Sequence, residues 1–399
     1  MSENVLPRKK IKFSETISSL EPSATLEITS KAKDMVKKGE DVVILAAGEP
    51  DFDTPVSVRK AALQAMERGE TRYTPAAGTL SLRKAIAEKL KRDNGVEYSP
   101  GEIVVSCGAK HSIYNTLRVL CNPGDEVIVV HPYWLSYPEM VTLAGGKPVI
   151  INTSADAGFR VSPSDIRKAV TSKTKAIIIN SPSNPAGAVY DEKELRDIAE
   201  VCLEKGVVII SDEIYEKIMF DGKKHFSIAA VSAAVRDITV VINGVSKGYA
   251  MTGWRIGYAA AERTLASLIS NFQSQTTSNP CSISQAAAEY AMTSLELEDE
   301  IKRNCAEYRK RRDVMLELFS GQEKIKPFIP LGAFYMFCDV SRTGMGSVEF
   351  SERLLKEKKV AVIPGGPFGD DKYVRLSFAT DLETIKKGVG RITQWVREA

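Results

Sequence analysis

Residues 175–216 read KAIIINSPSNPAGAVYDEKELRDIAEVCLEKGVVIISDEIYE, and they decide the fold. Two apolar runs, KAIIIN and VVIIS, are short and rich in β-branched residues, which is typical of strands that are buried on both faces. The helical pattern between them begins at a capping box of Asp191 and Glu194 and ends before Gly206. A strand, a helix and a second strand in this order predict a parallel pair of strands joined by a crossover helix.

The same alternation extends from about residue 55 to residue 260. Further strand-like runs are EIVVS (102–106), EVIVV (126–130), KPVII (147–151) and ITVVI (238–242). We therefore predict the α/β class, with a large domain at residues 55–295 whose mostly parallel sheet is covered by helices.

The pattern changes after about residue 300. A long charged helix is followed by GAFYMFCDV (332–340), VAVIP (360–364), YVRLSF (373–378) and a final helix. This order predicts a smaller α+β domain at residues 296–399. Residues 1–54 form an N-terminal segment with an amphipathic helix near residues 24–38, which we expect to pack with the smaller domain.

Composition indicates a small-molecule partner rather than a nucleic acid or a membrane. The 54 basic and 51 acidic side chains nearly cancel, so no overall field recruits a polyanion. A basic run near the N-terminus is typical of a solvated tail: Arg8, Lys9, Lys10 and Lys12. No apolar run approaches the ~18 residues that span a bilayer, and the N-terminus lacks the pattern of a signal peptide. We expect a cytoplasmic protein.

The cysteines and histidines do not indicate a metal site. Six cysteines and three histidines are dispersed along the chain, without the close pairs that structural zinc sites use. We therefore predict no metal, and reduced thiols rather than a disulfide scaffold.

Polar and aromatic side chains follow the ends of the predicted strands. Asp212 and Tyr215 come after VVIIS, Asn184 follows KAIIIN, and Trp134 follows EVIVV. Because ligands of open α/β sheets bind at the carboxyl ends of strands, these positions predict a site. Taken singly, each has an ordinary structural explanation: an aspartate can cap a helix, Asn-Pro is common in turns, and a tryptophan can belong to the core.

Two glycine-containing segments have the features of a phosphate site. SCGAKHSIYNT (106–116) passes from a strand end into a helix, so the backbone N–H groups of Gly108, Ala109 and Lys110 would face an anion together with the helix dipole. GVSKGYAMTGWRIG (244–257) contains a serine and an arginine, and a guanidinium can bind phosphate through two hydrogen bonds.

Together these segments resemble the class I aminotransferases that use pyridoxal 5′-phosphate (PLP). GVSKGYAMTGWRIG fits the pattern around the cofactor lysine of that family position for position. The resemblance runs from about residue 20 to the C-terminus and is strongest to the bacterial-type aspartate aminotransferases, subgroup Ib. It implies fold type I, PLP as the cofactor, and a homodimer with active sites shared between subunits.

The resemblance implies roles at the cofactor ring. Lys247 bonds covalently to the cofactor and moves the substrate proton, Asp212 keeps the pyridine nitrogen protonated, and Trp134 stacks on the ring. Tyr215 and Asn184 share the phenolic oxygen and stabilise its anionic form.

Roles at the phosphate and the substrate are implied in the same way. The residues at the phosphate are Gly108, Ala109, Lys110, Ser246, Arg255 and, contributed across the dimer interface, Tyr73. Arg375 in VRLSFAT (374–380) clamps the substrate α-carboxylate with a fixed guanidinium fork, beside Trp134 and Asn184. Gly48 in AAGEPDFDTP (46–55) lets the backbone approach the substrate closely.

One departure from the family concerns specificity. Some aspartate aminotransferases meet the distal carboxylate with an arginine in the segment that reads FQSQTTSNP here (272–280), and this chain has none. As in subgroup Ib, a lysine follows the Gly-Ala pair of the phosphate loop, and its ammonium, Lys110, could reach a β- or γ-carboxylate; the alternative is that it only caps the helix start. Glu21, an acid near the expected site mouth, would disfavour dicarboxylates.

We therefore predict transamination between aspartate and 2-oxoglutarate. A prephenate or aromatic aminotransferase and a carbon–sulfur β-lyase of the same fold type remain alternatives, because one architecture supports several chemistries. A PLP-binding transcription regulator is not expected, since its DNA-binding domain has no room before residue 20.

Overall fold

The computed structural model describes residues 11–18, 20 and 24–398. The positions singled out above as Arg8, Lys9, Lys10 and Glu21 lie outside the described residues. The strands are β1 Val43–Ile44, β2 Ile103–Ser106, β3 Glu126–Val130, β4 Lys147–Ile151, β5 Thr174–Asn180, β6 Val208–Asp212, β7 Thr239–Gly244, β8 Gly257–Ala260, β9 Lys326–Pro327, β10 Tyr335–Asp339, β11 Val360–Ala361, β12 Ile363–Pro364 and β13 Tyr373–Ser377. The helices are α1 Glu15–Ser18, α2 Ala24–Lys37, α3 Val56–Glu67, α4 Leu80–Lys89, α5 Ala109–Leu120, α6 Ser136–Leu143, α7 Pro163–Ala169, α8 Glu192–Lys205, α9 Ala233–Asp237, α10 Arg263–Ser274, α11 Ser282–Thr293, α12 Leu297–Leu318, α13 Ser347–Lys358 and α14 Leu382–Glu398.

A seven-stranded sheet forms the centre of the molecule, with the strand order β2-β8-β7-β6-β5-β3-β4. Six of these strands are the predicted runs, and they point the same way, which confirms the mostly parallel α/β sheet. The seventh strand, β8, pairs antiparallel with both β7 and β2 and was not predicted. Its sequence, GYAA, is short and lacks the β-branched residues by which the other strands were found.

Helices cover both faces of this sheet. One face packs against α5, α6 and α10, and the other against α7 and α8 toward the β4 edge and α3, α4 and α11 toward the β2 edge. The capping box of Asp191 and Glu194 starts α8 as predicted, and Gly206 ends it in the left-handed conformation. The edge strand β4 is partly exposed, because only one of its sides is paired.

A second sheet, in the order β12-β13-β10-β9, is antiparallel and packs against α12, α13 and α14. β1 pairs with β11, and α2 contacts β11 and β12, so the N-terminal segment lies on this part of the molecule. The core between the smaller sheet and these helices includes Ile214 and Tyr215, which follow β6 of the large sheet. The exact domain boundaries stay a prediction. Among the described residues, no helix combines the length and the apolar character needed to cross a membrane.

A buried charged network lies behind the segment that follows β6. Lys89, 2% exposed at its side chain, pairs with the carboxylate of Glu216, 7% exposed. Lys89 also donates to the amide oxygen of Asn94 at 2.8 Å, and the Asn94 amide donates to Glu216 at 2.8 Å. Glu213 accepts hydrogen bonds from Ser211, 2.9 Å, and Ser227, 2.7 Å, and its other oxygen lies 3.0 Å from the His225 ring.

Ligand atoms of Glu213, Glu216 and His225 lie within 4.8 Å of one another, which is close enough to hold a cation. The ammonium of Lys89 already supplies the positive charge at Glu216. We therefore assign this cluster to the support of the β6 segment rather than to a metal.

Removal of Lys89 should be costly. Lys89→Met leaves a buried carboxylate with only an amide donor, so the free energy of unfolding in urea should fall by about 3 to 5 kcal/mol. The double variant Lys89→Met/Glu216→Gln should recover most of the loss. Lys91→Met is a matched control, since Lys91 pairs with Glu97 at the surface and should change stability by less than about 1 kcal/mol. A loss no larger than that of the control would contradict the assignment.

Candidate active site

The predicted site residues converge at the carboxyl ends of the parallel strands. After β3 the chain forms β4 at one edge, and β5 then lies on the other side of β3, so the strand order reverses between β3 and β5. Ligands bind at such switch points. Trp134 follows β3, Asn184 follows β5, Asp212 ends β6, and Lys247 follows β7.

Lys247 lies at the centre of this cluster. Its Nζ donates to the carbonyl oxygen of Gly48 at 2.7 Å and lies 5.9 and 5.8 Å from the ring centres of Tyr215 and Phe334. Burial is the main cause that lowers the pKa of the Lys247 amine, to about 8, with Arg375 and Arg255 adding in the same direction. Near neutral pH this amine holds a much larger neutral fraction than an ordinary lysine does, and the neutral form is the one that acts as a nucleophile.

Asp212 is buried and accepts a hydrogen bond of 2.6 Å from the Tyr137 hydroxyl. Burial raises the pKa of the Asp212 carboxyl to about 6, while the Tyr137 hydrogen bond opposes the rise. The Asp212 carboxylate also accepts from the Ile214 N–H at 3.2 Å, a local turn rather than a helix cap. The Asn180 amide donates to the Asp212 carbonyl at 2.9 Å and ties β5 to β6.

Tyr215 and Arg375 meet through Tyr335. The hydroxyls of Tyr215 and Tyr335 are 2.9 Å apart, and the Arg375 guanidinium lies 4.3 Å from the centre of the Tyr335 ring. Arg375 is 2% exposed, because it projects from β13 in the middle of the smaller sheet. It donates to the Asn184 side-chain oxygen at 2.9 Å and to the Ala46 carbonyl at 3.2 Å, while its Nε has no hydrogen-bond partner.

The guanidinium of Arg375 is therefore a buried cation for which the described residues supply no carboxylate. Its burial lowers the pKa of the guanidinium from the ordinary value, since charge is poorly solvated there. A buried cation with a free N–H is a site for an anionic ligand. Because the Asn184 oxygen is occupied by Arg375, the amide group of Asn184 can offer its N–H groups to another ligand atom.

The segment after β2 forms a tight cradle with Arg255. Gly108 has a φ of +90°, and a Cβ at this position would lie 2.5 Å from an Arg255 nitrogen. Gly257 of β8 is equally constrained, since a Cβ there would lie 2.2 Å from the Ala109 nitrogen. The N–H of Gly108 donates to the Ser106 carbonyl at 2.7 Å, whereas Ala109 and Lys110 begin α5, where N–H groups lack acceptors within the helix.

Trp134 lies against Lys110 and against Tyr137, the residue that hydrogen-bonds to Asp212. The Lys110 ammonium is 4.8 Å from the centre of the Trp134 ring, and that ring contacts Tyr137 edge-on at 5.4 Å. Burial, followed by the charge of Arg255, lowers the pKa of Lys110. Ser246 is buried next to Lys247.

Tyr73 is the one predicted residue that a single chain does not bring into this cluster. Its side chain is 90% exposed, and it lies at a surface cleft with Arg68, Thr74, Ser282 and Tyr290. The sequence reasoning in turn missed Tyr137, Tyr335 and Asn180. Asn180 ends the run KAIIIN and Tyr137 lies three residues after Trp134, so their place near strand ends was a usable signal.

The residues fit the cofactor expected from the sequence. The amine of Lys247 and the carboxylate of Asp212 are both buried. The phenol of Tyr215 and the amide of Asn184 can bind an anionic oxygen, and the start of α5 with Arg255 can bind a phosphate. Because Gly108 has no Cβ, its backbone and the Arg255 guanidinium can both approach one ligand. A Cβ at this position would fill that space.

Tyr137→Phe tests the environment of Asp212. The Tyr137 hydroxyl stabilises the ionised carboxylate, so its loss should raise the pKa of Asp212, by about 1 unit or more for a charge-assisted hydrogen bond. PLP binding, followed by absorbance between pH 5 and 8, needs the ionised carboxylate, and its acidic limb should move to higher pH by that amount. Tyr133→Phe, four residues earlier and before the start of α6, is the control. An unmoved limb would remove Tyr137 from this role.

Comparison with known proteins agrees with this geometry. The family model for aminotransferase class I and II matches residues 40–392. The aspartate aminotransferase of Bacillus sp. (strain YM-2) is 47% identical over 96% of this chain and 98% of its own length, and that of Bacillus subtilis (strain 168) is 46% identical over 97% and 100%. The solved aspartate aminotransferase from Thermus thermophilus with maleate superimposes with a TM-score of 0.93 at 41% identity, over 96% of this chain and 99% of that one. This chain therefore belongs to the class I and II aminotransferases, enzymes of the fold type I architecture that depend on pyridoxal 5′-phosphate.

Proposed function

We propose that this enzyme transfers the amino group between aspartate and 2-oxoglutarate, giving oxaloacetate and glutamate. The observation that carries this specificity is the position of Lys110, an exposed residue whose ammonium lies 4.8 Å from the centre of the Trp134 ring and forms no ion pair with the described residues. We further propose that the protein acts in the cytoplasm as a homodimer.

Within this proposal, the cluster divides between the cofactor ring and its phosphate. Lys247 bonds to the cofactor, Asp212 pairs with the ring nitrogen, Trp134 stacks on the ring, and Tyr215 and Asn184 bind the phenolic oxygen. The phosphate is held by the start of α5 at Gly108, Ala109 and Lys110, by Ser246 and Arg255, and by Tyr73 of the partner subunit. When bound, the cofactor supplies an electron sink for the charge that develops at the substrate Cα.

Once the substrate amino group has replaced it on the cofactor, the freed Lys247 amine would serve as the base and the acid at the substrate Cα. Its amine, with a pKa of about 8, can accept a proton from Cα and return one near neutral pH, where both protonation states are accessible. Asp212 keeps the ring nitrogen protonated, and the buried setting strengthens that pairing because water does not screen it.

The substrate is clamped at two ends. Arg375, held by Asn184, Ala46 and the face of Tyr335, binds the α-carboxylate, and the free Nε supplies a further donor. Gly48 lies close to this point, since a Cβ there would be 3.6 Å from the Tyr335 hydroxyl and 4.0 Å from Arg375. A larger residue would narrow the space for a substrate.

Lys110 would meet the distal carboxylate of a dicarboxylic substrate. Its charge is partly desolvated and lies near a second cation, Arg255, so an anion brought next to it relieves an unfavourable setting. The solved Thermus thermophilus relative contains maleate, a dicarboxylate with four carbons, which supports a site of this kind.

A panel of amino donors and 2-oxo acceptors tests the proposal. Aspartate and glutamate with oxaloacetate and 2-oxoglutarate should give the highest kcat/KM. Faster turnover of prephenate or of an aromatic oxo acid would instead indicate a prephenate or aromatic aminotransferase. Release of pyruvate and ammonia without an acceptor would favour a carbon–sulfur lyase.

Lys110→Ala should change specificity. A charge-assisted contact is worth about 1.5 to 3 kcal/mol, so kcat/KM for aspartate should fall by roughly ten- to a hundredfold. Donors without a distal carboxylate, alanine and phenylalanine, should barely change, and Lys147→Ala, a surface lysine on the edge strand β4, is the control. Equal losses for aspartate and phenylalanine would show that Lys110 supports the loop instead of selecting the substrate.

A further inference from the structure

The loop that carries Tyr73 is held firmly although Tyr73 itself is exposed. Gly78 of this loop has a φ of +92°, and a Cβ there would lie 2.8 Å from Val105 and 3.1 Å from the Gln285 oxygen. The Ala77 carbonyl accepts from the Val105 N–H at 3.0 Å, so the loop is paired with the end of β2. A loop fixed in this way holds the Tyr73 backbone in place while its ring, 90% exposed, points away from its own chain.

A buried glutamine of α11, Gln285, fixes both ends of the loop. Its side chain is fully buried, and its Nε2 donates to the Thr74 hydroxyl at 3.0 Å and to the Pro280 carbonyl at 2.9 Å. Its Oε1 accepts from the Thr79 N–H at 2.8 Å. The backbone partners fix the orientation of the amide, since a carbonyl can only accept and an N–H can only donate.

A second buried glutamine, Gln273 of α10, joins the loop to the phosphate segment. Its Nε2 donates to the Ala76 carbonyl at 2.6 Å and to the Val105 carbonyl at 2.7 Å, and its Oε1 accepts from Asn115 of α5 at 3.1 Å. Gln273 therefore contacts the Tyr73 loop, the end of β2 and α5 at once. Gln285 contacts the loop and Pro280 but neither β2 nor α5 in these hydrogen bonds.

We propose that Gln285 is a positioning residue that acts in trans: it holds the Tyr73 loop of one subunit so that the Tyr73 hydroxyl reaches the cofactor phosphate of the other. Gln273 holds the same loop and also the phosphate segment of its own subunit. This inference rests on the homodimer with shared sites proposed above. Preorganisation of the loop matters because ordering it on binding would cost conformational entropy.

The proposal predicts that substitutions of the two glutamines affect PLP binding differently in a mixed dimer. A Lys247→Ala chain and a Gln285→Met chain, carrying different affinity tags, are co-expressed, and the heterodimer is purified. Its one lysine-bearing site combines the residues of the Gln285→Met chain with Tyr73 from the Lys247→Ala chain, whose loop is intact. The readout is the dissociation constant of PLP at that site, with the Lys247→Ala/wild-type heterodimer as the reference.

The Gln285→Met homodimer should bind PLP about tenfold more weakly than the wild type, the effect of roughly one lost hydrogen bond. In the Lys247→Ala/Gln285→Met heterodimer, the dissociation constant of PLP should lie within about twofold of the Lys247→Ala/wild-type reference. The Gln273→Met heterodimer should stay impaired, because Gln273 also holds its own phosphate segment. Wild-type affinity in the Gln285→Met homodimer, or a heterodimer as weak as that homodimer, would overturn the proposal.

Three further variants complete the test. Thr74→Val removes one partner of Gln285 from the half-buried loop and should show the same rescue, which covers the case in which Gln285→Met fails to fold. Gln394→Met, at an exposed position of α14, should leave PLP binding unchanged. Tyr73→Phe should also be rescued in the heterodimer. If it is not, the shared site of the proposed function fails; if it is and Gln285→Met is not, the inference about Gln285 alone fails.

Discussion

The burial of the Lys247 amine is the constraint on which the site depends. A charged amine is costly to bury, and burial brings the pKa of the Lys247 amine down to about 8, while Nζ donates a hydrogen bond to the Gly48 carbonyl. That hydrogen bond joins the segment after β7 of the large sheet to the N-terminal segment, which pairs with β11 beside the smaller sheet. Lys247 is thus enclosed only where the two parts of the molecule meet.

The segment after β6 supports this arrangement from two sides. Asp212 and Tyr215 face Tyr137 and Tyr335 on the side of Lys247, while Glu213 and Glu216 contact the buried network on the other side. Tyr335 connects this segment to the Arg375 guanidinium, so Tyr215 and Arg375, the residues proposed to bind the phenolic oxygen and the substrate carboxylate, contact the same side chain. A shift of the smaller sheet would therefore disturb both.

Much of the fold was predictable because its strands are buried on both faces and read as apolar runs; β8 was missed because its small residues carry no such pattern. Once the strands were located, the site residues that follow them could be named, because the carboxyl ends of parallel strands meet at one edge of a sheet. Tyr335 could not be assigned from sequence, because its contact with Tyr215 joins two separate sheets. Gln273 and Gln285 could not be assigned either, because a buried amide on a helix has no sequence signature. The role proposed for Tyr73 involves a second subunit, so a single chain cannot show it.

Borohydride reduction of the PLP-loaded protein, followed by proteolysis and mass spectrometry, tests the central claim most directly, because it fixes the cofactor to the nitrogen that holds it. The buried amine with a lowered pKa predicts one modified lysine, Lys247, and no modification in the Lys247→Ala variant. Modification of a different lysine in the wild-type protein, such as Lys110 beside the phosphate cradle, would contradict the assignment of the site.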